Sequence, residues 1–248
     1  MAPLVEEVTG LTRPDTVVIE TVLWTDWIEQ MRRVDRDRYH ADTAELQPDW
    51  ANKAAARITI FNASRARKSR SNIPAQTIPL GTARSKILLM PEVLREAGRL
   101  DDDQYLHCAI AHELVHAFQY TAADDLADLG ATAYQDLRGV ADRDYMFLVE
   151  GHAYWADRQI ARTLYGAPLA DGPGPGATKE FVALTKTARY SDSKADKERA
   201  ITSVGDIIDR LGATAFNQIW TRPDLVPLQS ETDEPDLWAK RVEASTSA

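Results

Sequence analysis

Apolar residues near the N-terminus recur at intervals of three and four, the spacing that places side chains on one face of an α-helix. They are Trp24, Trp27, Ile28, Met31 and Val34. This spacing predicts a packed helix from residue 24 to about residue 39, with both tryptophans in the protein core.

Short runs of β-branched and aliphatic residues predict strands. Residues 16–23 are typical of a strand or of the lead-in to the following helix, and residues 57–61 are typical of a short strand ended by Asn62. Residues 85–90 predict a further strand, which Pro91 stops because proline has no amide hydrogen for the ladder.

Capping residues mark the central helices. We expect a short helix over residues 91–98, followed by a helix that the aspartates of residues 101–103 cap and that runs to about residue 120. Residues 126–137 predict another helix. The next helix, capped by Asp142 or Asp144, is expected to continue to about residue 165.

Glycine and proline interrupt regular structure in the last third of the chain. Residues 166–176 are therefore expected to form a loop. Residues 179–219 are expected to be helical, with a break at Gly212. Two tryptophans, Trp220 and Trp238, are expected to anchor the C-terminal segment onto the body of the protein.

Composition supports a folded protein and limits its partners. The chain has 248 residues, of which 44% are apolar and 27% charged, and its net charge is −9. This acidic balance argues against a nucleic-acid partner, because phosphate binding relies on excess lysine and arginine. One basic segment, residues 64–72, is expected to be a solvated loop, with steering of an acidic substrate as the alternative.

Neither a membrane span nor a secretory leader is apparent. No apolar run approaches the roughly 18 residues that a span requires, and the N-terminal residues lack a basic and then apolar leader. We therefore expect a cytoplasmic protein with no membrane partner. Its single cysteine, Cys108, excludes an internal disulfide and is expected to pack in the core rather than to bind metal.

The candidate chemistry centres on the motif His112-Glu113-Leu114-Val115-His116. Residues four apart lie on one helix face, so both imidazoles can reach one metal ion, and Glu113 flanks the same point. Zinc with three protein ligands lowers the pKa of a bound water to about 7, and a carboxylate can take its proton. His-Glu-x-x-His is therefore a hydrolase pattern in which Glu113 is the catalytic base.

Glu150 is the expected third ligand. It is an acid in an apolar run, where a lone carboxylate would be costly to bury. His152 is the alternative ligand if the local backbone is not helical, and is otherwise expected near the ligands or on the surface. Asp157 lies two turns beyond Glu150 and is expected either to hydrogen-bond a ligand histidine or to be exposed.

With both motifs in place, the chain resembles the gluzincin type of zinc metallopeptidase. In that family His-Glu-x-x-His is followed on a later helix by a glutamate ligand in a Glu-Gly-x-Ala setting, matched here by Glu150-Gly151-His152-Ala153. Residues 149–153, 215–227 and 235–242 are also similar to an actinobacterial zincin-like family of hydrolases or metallopeptidases that is loosely associated with deazaflavin-cofactor biosynthesis and largely lacks assigned substrates.

The resemblance implies a zincin-like α+β fold that is predominantly helical, with a small N-terminal sheet and a helical C-terminal lobe around a metal cleft. It implies a single catalytic domain over residues 1–248, with lobes at 1–121 and 122–248. Residues 86–90 would form the sheet edge to which an extended peptide adds.

The implied activity is zinc-dependent hydrolysis of a peptide or a small amide. His112, His116 and Glu150 would bind Zn²⁺, and Glu113 would activate the zinc-bound water. Tyr190, Tyr145 and Tyr154 are the candidate donors to the transition-state oxyanion. Two alternatives are a metal-dependent enzyme acting on a small biosynthetic intermediate and an inactive zincin-like binding protein.

Overall fold

The computed structural model describes residues 1–43, 48–49, 52, 73–123 and 142–246. Its helices are α1 (Ala2–Thr9), α2 (Trp24–Thr43), α3 (Pro91–Glu96), α4 (Asp103–Ala122), α5 (Tyr145–Tyr165), α6 (Lys179–Leu184), α7 (Ala188–Leu211), α8 (Ala213–Phe216) and α9 (Pro235–Thr246). Its strands are β1 (Thr16–Thr21), β2 (Ala75–Gly81) and β3 (Arg84–Leu89). Helices predominate beside one small sheet, which confirms the predicted α+β class.

Three predicted elements lie outside the described residues: the strand at 57–61, the basic segment at 64–72 and the helix at 126–137. The division into lobes at 1–121 and 122–248 stays a prediction. Within the described part of the chain, no helix combines the length and the apolar character needed to cross a membrane.

The sheet has the strand order β1-β3-β2, with β1 parallel and β2 antiparallel to β3. The expectation that residues 86–90 form a sheet edge is wrong, because β3 pairs on both sides. Strand β2 was not predicted. It contains Pro79, which a ladder tolerates at an outer strand or an irregularity, and the pairing register shifts between Pro79 and Gly81.

The N-terminal helix pattern is confirmed and packs against this sheet. Trp24 is 6% exposed and Trp27 is fully buried, with their rings stacked at 4.5 Å between centroids. They belong to a hydrophobic cluster that includes Ile78 of β2 and Leu88 of β3. Helix α2 is thereby fixed on one side of the sheet.

Side-chain caps define where α4 and α5 begin. The Asp102 carboxylate accepts a hydrogen bond from the Tyr105 amide at 3.0 Å, and the Asp144 carboxylate accepts one from the Phe147 amide at 2.9 Å. Because these oxygens satisfy amides that have no partner within the helix, each helix starts at a fixed residue. Gly166 ends α5 in the left-handed conformation, with φ of 80°.

Helices α4, α5 and α7 pack together in the main hydrophobic core. Gly151 allows α5 and α7 to approach closely, since a Cβ atom there would lie 2.9 Å from the Ala200 carbonyl oxygen. The C-terminal segment covers this core as predicted, with Trp220 1% exposed and Trp238 fully buried. The Trp238 indole donates a hydrogen bond to the Leu225 carbonyl oxygen at 2.8 Å.

Candidate metal centre

Helix α4 presents two imidazoles to one point. The Nε2 atoms of His112 and His116 lie 3.1 Å apart, and their ring planes are nearly perpendicular, at 85°. Two ligands at 2.0–2.1 Å from a tetrahedral zinc ion lie about 3.3 Å apart. The helical spacing of the two histidines therefore produces the nitrogen separation that such an ion requires.

Helix α5 brings the Glu150 carboxylate to the same point. Its oxygens lie 3.5 Å from the His112 Nε2 atom and 3.8 Å from that of His116. Ligand atoms from the three side chains all lie within 4.8 Å of one another. The structure thus assembles the predicted trio from two helices, and the trio has the two-imidazole, one-carboxylate composition found at catalytic zinc sites.

Electrostatics couple the three side chains. Burial alone would lower the pKa of His112, but hydrogen bonds to Asp157 and Glu150 and the charges of these residues raise it to about 10. Burial alone would raise the pKa of Glu150, but the neighbouring His116 and His112 lower it to about 2. A carboxylate held ionised beside two imidazoles is the environment that a divalent cation occupies.

Asp157 orients His112. Its carboxylate oxygen lies 3.1 Å from His112 Nδ1, which confirms the first of the two expectations for this residue. Because an ionised carboxylate can only accept, His112 Nδ1 carries the hydrogen of this contact, and Nε2 is the nitrogen that faces Glu150. Burial raises the pKa of Asp157, against the opposing effect of His112. The Tyr154 ring covers His112, with 4.3 Å between ring centroids.

Glu113 follows His112 on α4 and is 7% exposed, and one hydroxyl group contacts its carboxylate. The Thr77 hydroxyl of β2 lies 2.7 Å from the Glu113 carboxylate and 2.7 Å from its backbone carbonyl oxygen. Thr77 was not recognised from the sequence, because 36 residues separate it from Glu113 and no local pattern links them. It ties the sheet to the candidate base.

His152 lies outside the trio. It is fully buried, so the expectation of a surface position is wrong, and its Nδ1 atom contacts the Gln119 amide nitrogen at 3.0 Å. Burial, and secondarily the charge of His116, lower the pKa of His152 to about 3, so the ring is neutral. Gln119 also lies 2.8 Å from His116 Nδ1 and was missed, although three residues separate it from His116 on one helix face.

The three candidate tyrosines occupy different places. Tyr154 contacts His112, and its pKa is raised well above the usual value by burial and by the charges of Glu150 and Asp157, so its hydroxyl keeps its proton. Tyr145 is 2% exposed in the core at the first residue of α5. Tyr190 lies near the start of α7, where burial and Asp171 raise its pKa.

Cys108 is not part of the metal-ligand cluster. It is half-buried, and burial followed by the charges of Asp157 and Asp102 raises the pKa of its thiol to about 11. Cys108 is only partly buried and belongs to neither hydrophobic cluster, so the expected place in the core is not confirmed.

The fold is similar to that of one solved protein. Over 98% of this chain and 86% of the other, it matches the crystal structure described as "a putative hydrolase with a novel fold" from Chloroflexus aurantiacus, with a TM-score of 0.58 and 17% sequence identity. No family model matches the chain, and no curated protein matches its sequence. At this identity the likeness shows the fold, and membership of the gluzincin or actinobacterial zincin-like families stays a prediction.

Proposed function

We propose that this protein is a zinc-dependent metallopeptidase that hydrolyses a peptide or amide bond. The observation that carries the proposal is the convergence of His112, His116 and Glu150 ligand atoms within 4.8 Å, with Glu113 buried on the same helix as the two histidines. The structural neighbour described as a putative hydrolase supports hydrolysis in general.

The donor set suits zinc. Two neutral imidazoles and one carboxylate form a mixed nitrogen and oxygen site, whereas magnesium and calcium prefer oxygen ligands alone. A zinc ion held by His112, His116 and Glu150 would supply a Lewis acid that polarises a carbonyl and lowers the pKa of water to about 7.

Glu113 would perform the proton transfers. Its carboxylate would accept a proton from the attacking water and deliver it to the leaving nitrogen, the role of a general acid–base residue near the scissile bond. The Thr77 hydroxyl, 2.7 Å away, would hold that carboxylate in one orientation. Tyr154 is the best placed of the three tyrosines to donate a hydrogen bond to the oxyanion, because its ring lies against His112 and its hydroxyl is protonated.

The decisive experiment compares the zinc content and the hydrolytic activity of Glu113→Gln with those of the wild type. The amide keeps the size of the side chain but cannot take a proton, so we expect wild-type zinc content, measured by elemental analysis, and loss of cleavage. The substrate probe is a mixed peptide library analysed by mass spectrometry. Glu180→Gln, an exposed residue of α6, is the matched control and is expected to retain both properties.

Two results would contradict the proposal. Wild-type turnover by Glu113→Gln would remove Glu113 from the role of base. A wild-type protein that binds zinc but cleaves no member of the library would contradict the peptidase assignment. Assays of the same protein with small N-acyl amides would then report whether a small amide is the substrate.

A further inference from the structure

The Gln119 side chain connects the two helices that supply the predicted metal ligands. It is 1% exposed on α4. Its Oε1 atom lies 2.8 Å from His116 Nδ1, and its Nε2 atom lies 3.0 Å from the Val149 carbonyl oxygen and 3.0 Å from His152 Nδ1. One amide group thus contacts a predicted ligand on α4 and the backbone directly before Glu150 on α5.

These contacts fix which way the amide points. The Val149 carbonyl oxygen can only accept a hydrogen bond, so the Gln119 nitrogen must face it and the Gln119 oxygen must face His116. An amide oxygen can only accept, so His116 Nδ1 carries a hydrogen. The other ring nitrogen, Nε2, lies 3.8 Å from the Glu150 carboxylate.

His152 takes the second hydrogen of the amide. Its Nδ1 atom accepts from Gln119 Nε2, which places the ring hydrogen on Nε2. Among the described residues Nε2 has no hydrogen-bond partner, and the ring lies between Trp155, Phe216 and Trp220 at centroid distances of 5.8, 5.4 and 5.2 Å. Leaving a buried N–H without a polar partner is costly, so a packing role alone does not account for a histidine here.

We propose that Gln119 and His152 form a positioning pair for the metal centre. His152 holds the Gln119 amide in one orientation, and Gln119 in turn sets the tautomer of His116 and ties it to the backbone of α5 beside Glu150. This inference rests on the proposed function, because it assigns His116 and Glu150 as ligands. Partners of this kind change metal affinity by about 10- to 100-fold.

The test measures zinc affinity by competition with a chromophoric chelator, and the visible absorption spectrum of the cobalt-substituted protein. Gln119→Leu keeps the size but loses all three hydrogen bonds, and we expect zinc binding to weaken by about 10- to 100-fold, with an altered cobalt spectrum. His152→Phe keeps an aromatic ring without the acceptor and is expected to weaken binding about tenfold.

Two further variants separate positioning from packing. His152→Asn places an amide oxygen near the position of Nδ1, so it is expected to recover most of the affinity lost in His152→Phe although it removes more aromatic contact. Gln104→Leu, an exposed position on the first turn of the same helix, is the control and is expected to bind zinc as the wild type does.

The outcomes distinguish this inference from the proposed function. Wild-type affinity and an unchanged cobalt spectrum in Gln119→Leu and His152→Phe would overturn the pair and leave the proposed function intact. A wild-type protein that binds no zinc would overturn the proposed function. The hydrogen-bond arrangement is checked separately by ¹⁵N NMR of the zinc-free wild type, where a hydrogen on His152 Nδ1 instead of Nε2 would overturn the pair.

Discussion

The Glu113 carboxylate owes its orientation to a residue on a different element, Thr77 of β2. The Thr77 hydroxyl has a single hydrogen and two acceptors, the Glu113 carboxylate and the Glu113 carbonyl oxygen, both at 2.7 Å. Sharing the hydrogen between them locks the side chain against its own backbone. A general base must lie within hydrogen-bond reach of the proton it takes, so a fixed position favours that role.

Replacing Thr77 by valine tests this point, because valine has nearly the same shape without the hydroxyl. A hydrogen bond to a charged group contributes about 1.5–3 kcal/mol, and the loss of that amount from the transition state lowers kcat roughly 10- to 100-fold. We expect zinc content to be unchanged, and Thr77→Ser to recover activity. Wild-type kcat in a folded Thr77→Val protein would show that Glu113 is positioned by other means.

Residue-level prediction succeeds where the chemistry is local. His112, Glu113 and His116 lie within five consecutive residues, so helix geometry alone relates their side chains. Thr77 lies on a strand whose pairing depends on a turn and on the packing of α4 against the sheet. Such a contact has no signature in a single sequence, because either residue has many chemically acceptable partners.

At the scale of elements, packing against α7 explains why a glycine, Gly151, follows the proposed ligand Glu150. A Cβ atom at Gly151 would lie 2.9 Å from the carbonyl oxygen and 2.9 Å from the Cβ of Ala200 on α7. Backbone cannot move aside as a flexible side chain can. The close approach of α5 and α7 therefore requires a residue without a side chain directly after Glu150.

Gly151→Ala is expected to destabilise the protein and to weaken zinc binding together. Alanine favours helix formation over glycine by about 1 kcal/mol, but crowding of a packed core costs about 1–3 kcal/mol. Gly205→Ala is the matched control, since its nearest contact is a Trp155 side-chain atom at 3.2 Å. Chemical unfolding and chelator competition measure both effects, and a Gly151→Ala protein as stable as Gly205→Ala would contradict this account.

An ion pair between Arg241 and Glu231 holds the C-terminal helix α9 in place. Arg241 of α9 donates to both Glu231 carboxylate oxygens, at 2.8 and 2.6 Å, and to the Val226 carbonyl oxygen at 2.9 Å. Burial alone would raise the pKa of Glu231, but hydrogen bonds from Arg241 and from the Leu228 amide lower it. The pair joins α9 to the turn at Gln229–Glu231 and keeps Trp238 over the core.

The lowered pKa of Glu231 predicts how stability depends on pH. The pKa is lower in the folded protein than in the unfolded chain, so its contribution is present above the unfolded pKa and is lost as the pH falls through the folded pKa. Near neutral pH, Glu231→Gln is expected to lower the free energy of unfolding by about 1.5–3 kcal/mol. The difference in free energy of unfolding between Glu231→Gln and the wild type should become smaller at acidic pH. Urea titrations across pH measure it, and Glu234→Gln, an exposed control, should show no such change.

For the molecule as a whole, prediction from sequence succeeded for the central helices, whereas the terminal helices α1 and α9 and the strand β2 were not predicted. Asp102, Asp144 and Gly166 mark helix ends through local hydrogen bonding and backbone conformation, and the structure confirms them. The sheet was harder because Pro79 conceals β2, and without β2 the central position of β3 could not be deduced. The meeting of α4 and α5 was inferred from ligand chemistry rather than from any packing pattern.

The largest test at this scale is the effect of zinc on thermal stability, because the proposed ligands come from two helices of one core. A ligand at 100 times its dissociation constant stabilises the folded state by about 2.7 kcal/mol, and each kcal/mol shifts Tm by about 2–4 °C in a chain of this size. We expect added zinc to raise the Tm of the chelator-treated wild type by roughly 5–10 °C. Glu113→Gln should show the same increase. His116→Ala and Glu150→Ala should show little, and a full shift in Glu150→Ala would place the third ligand elsewhere.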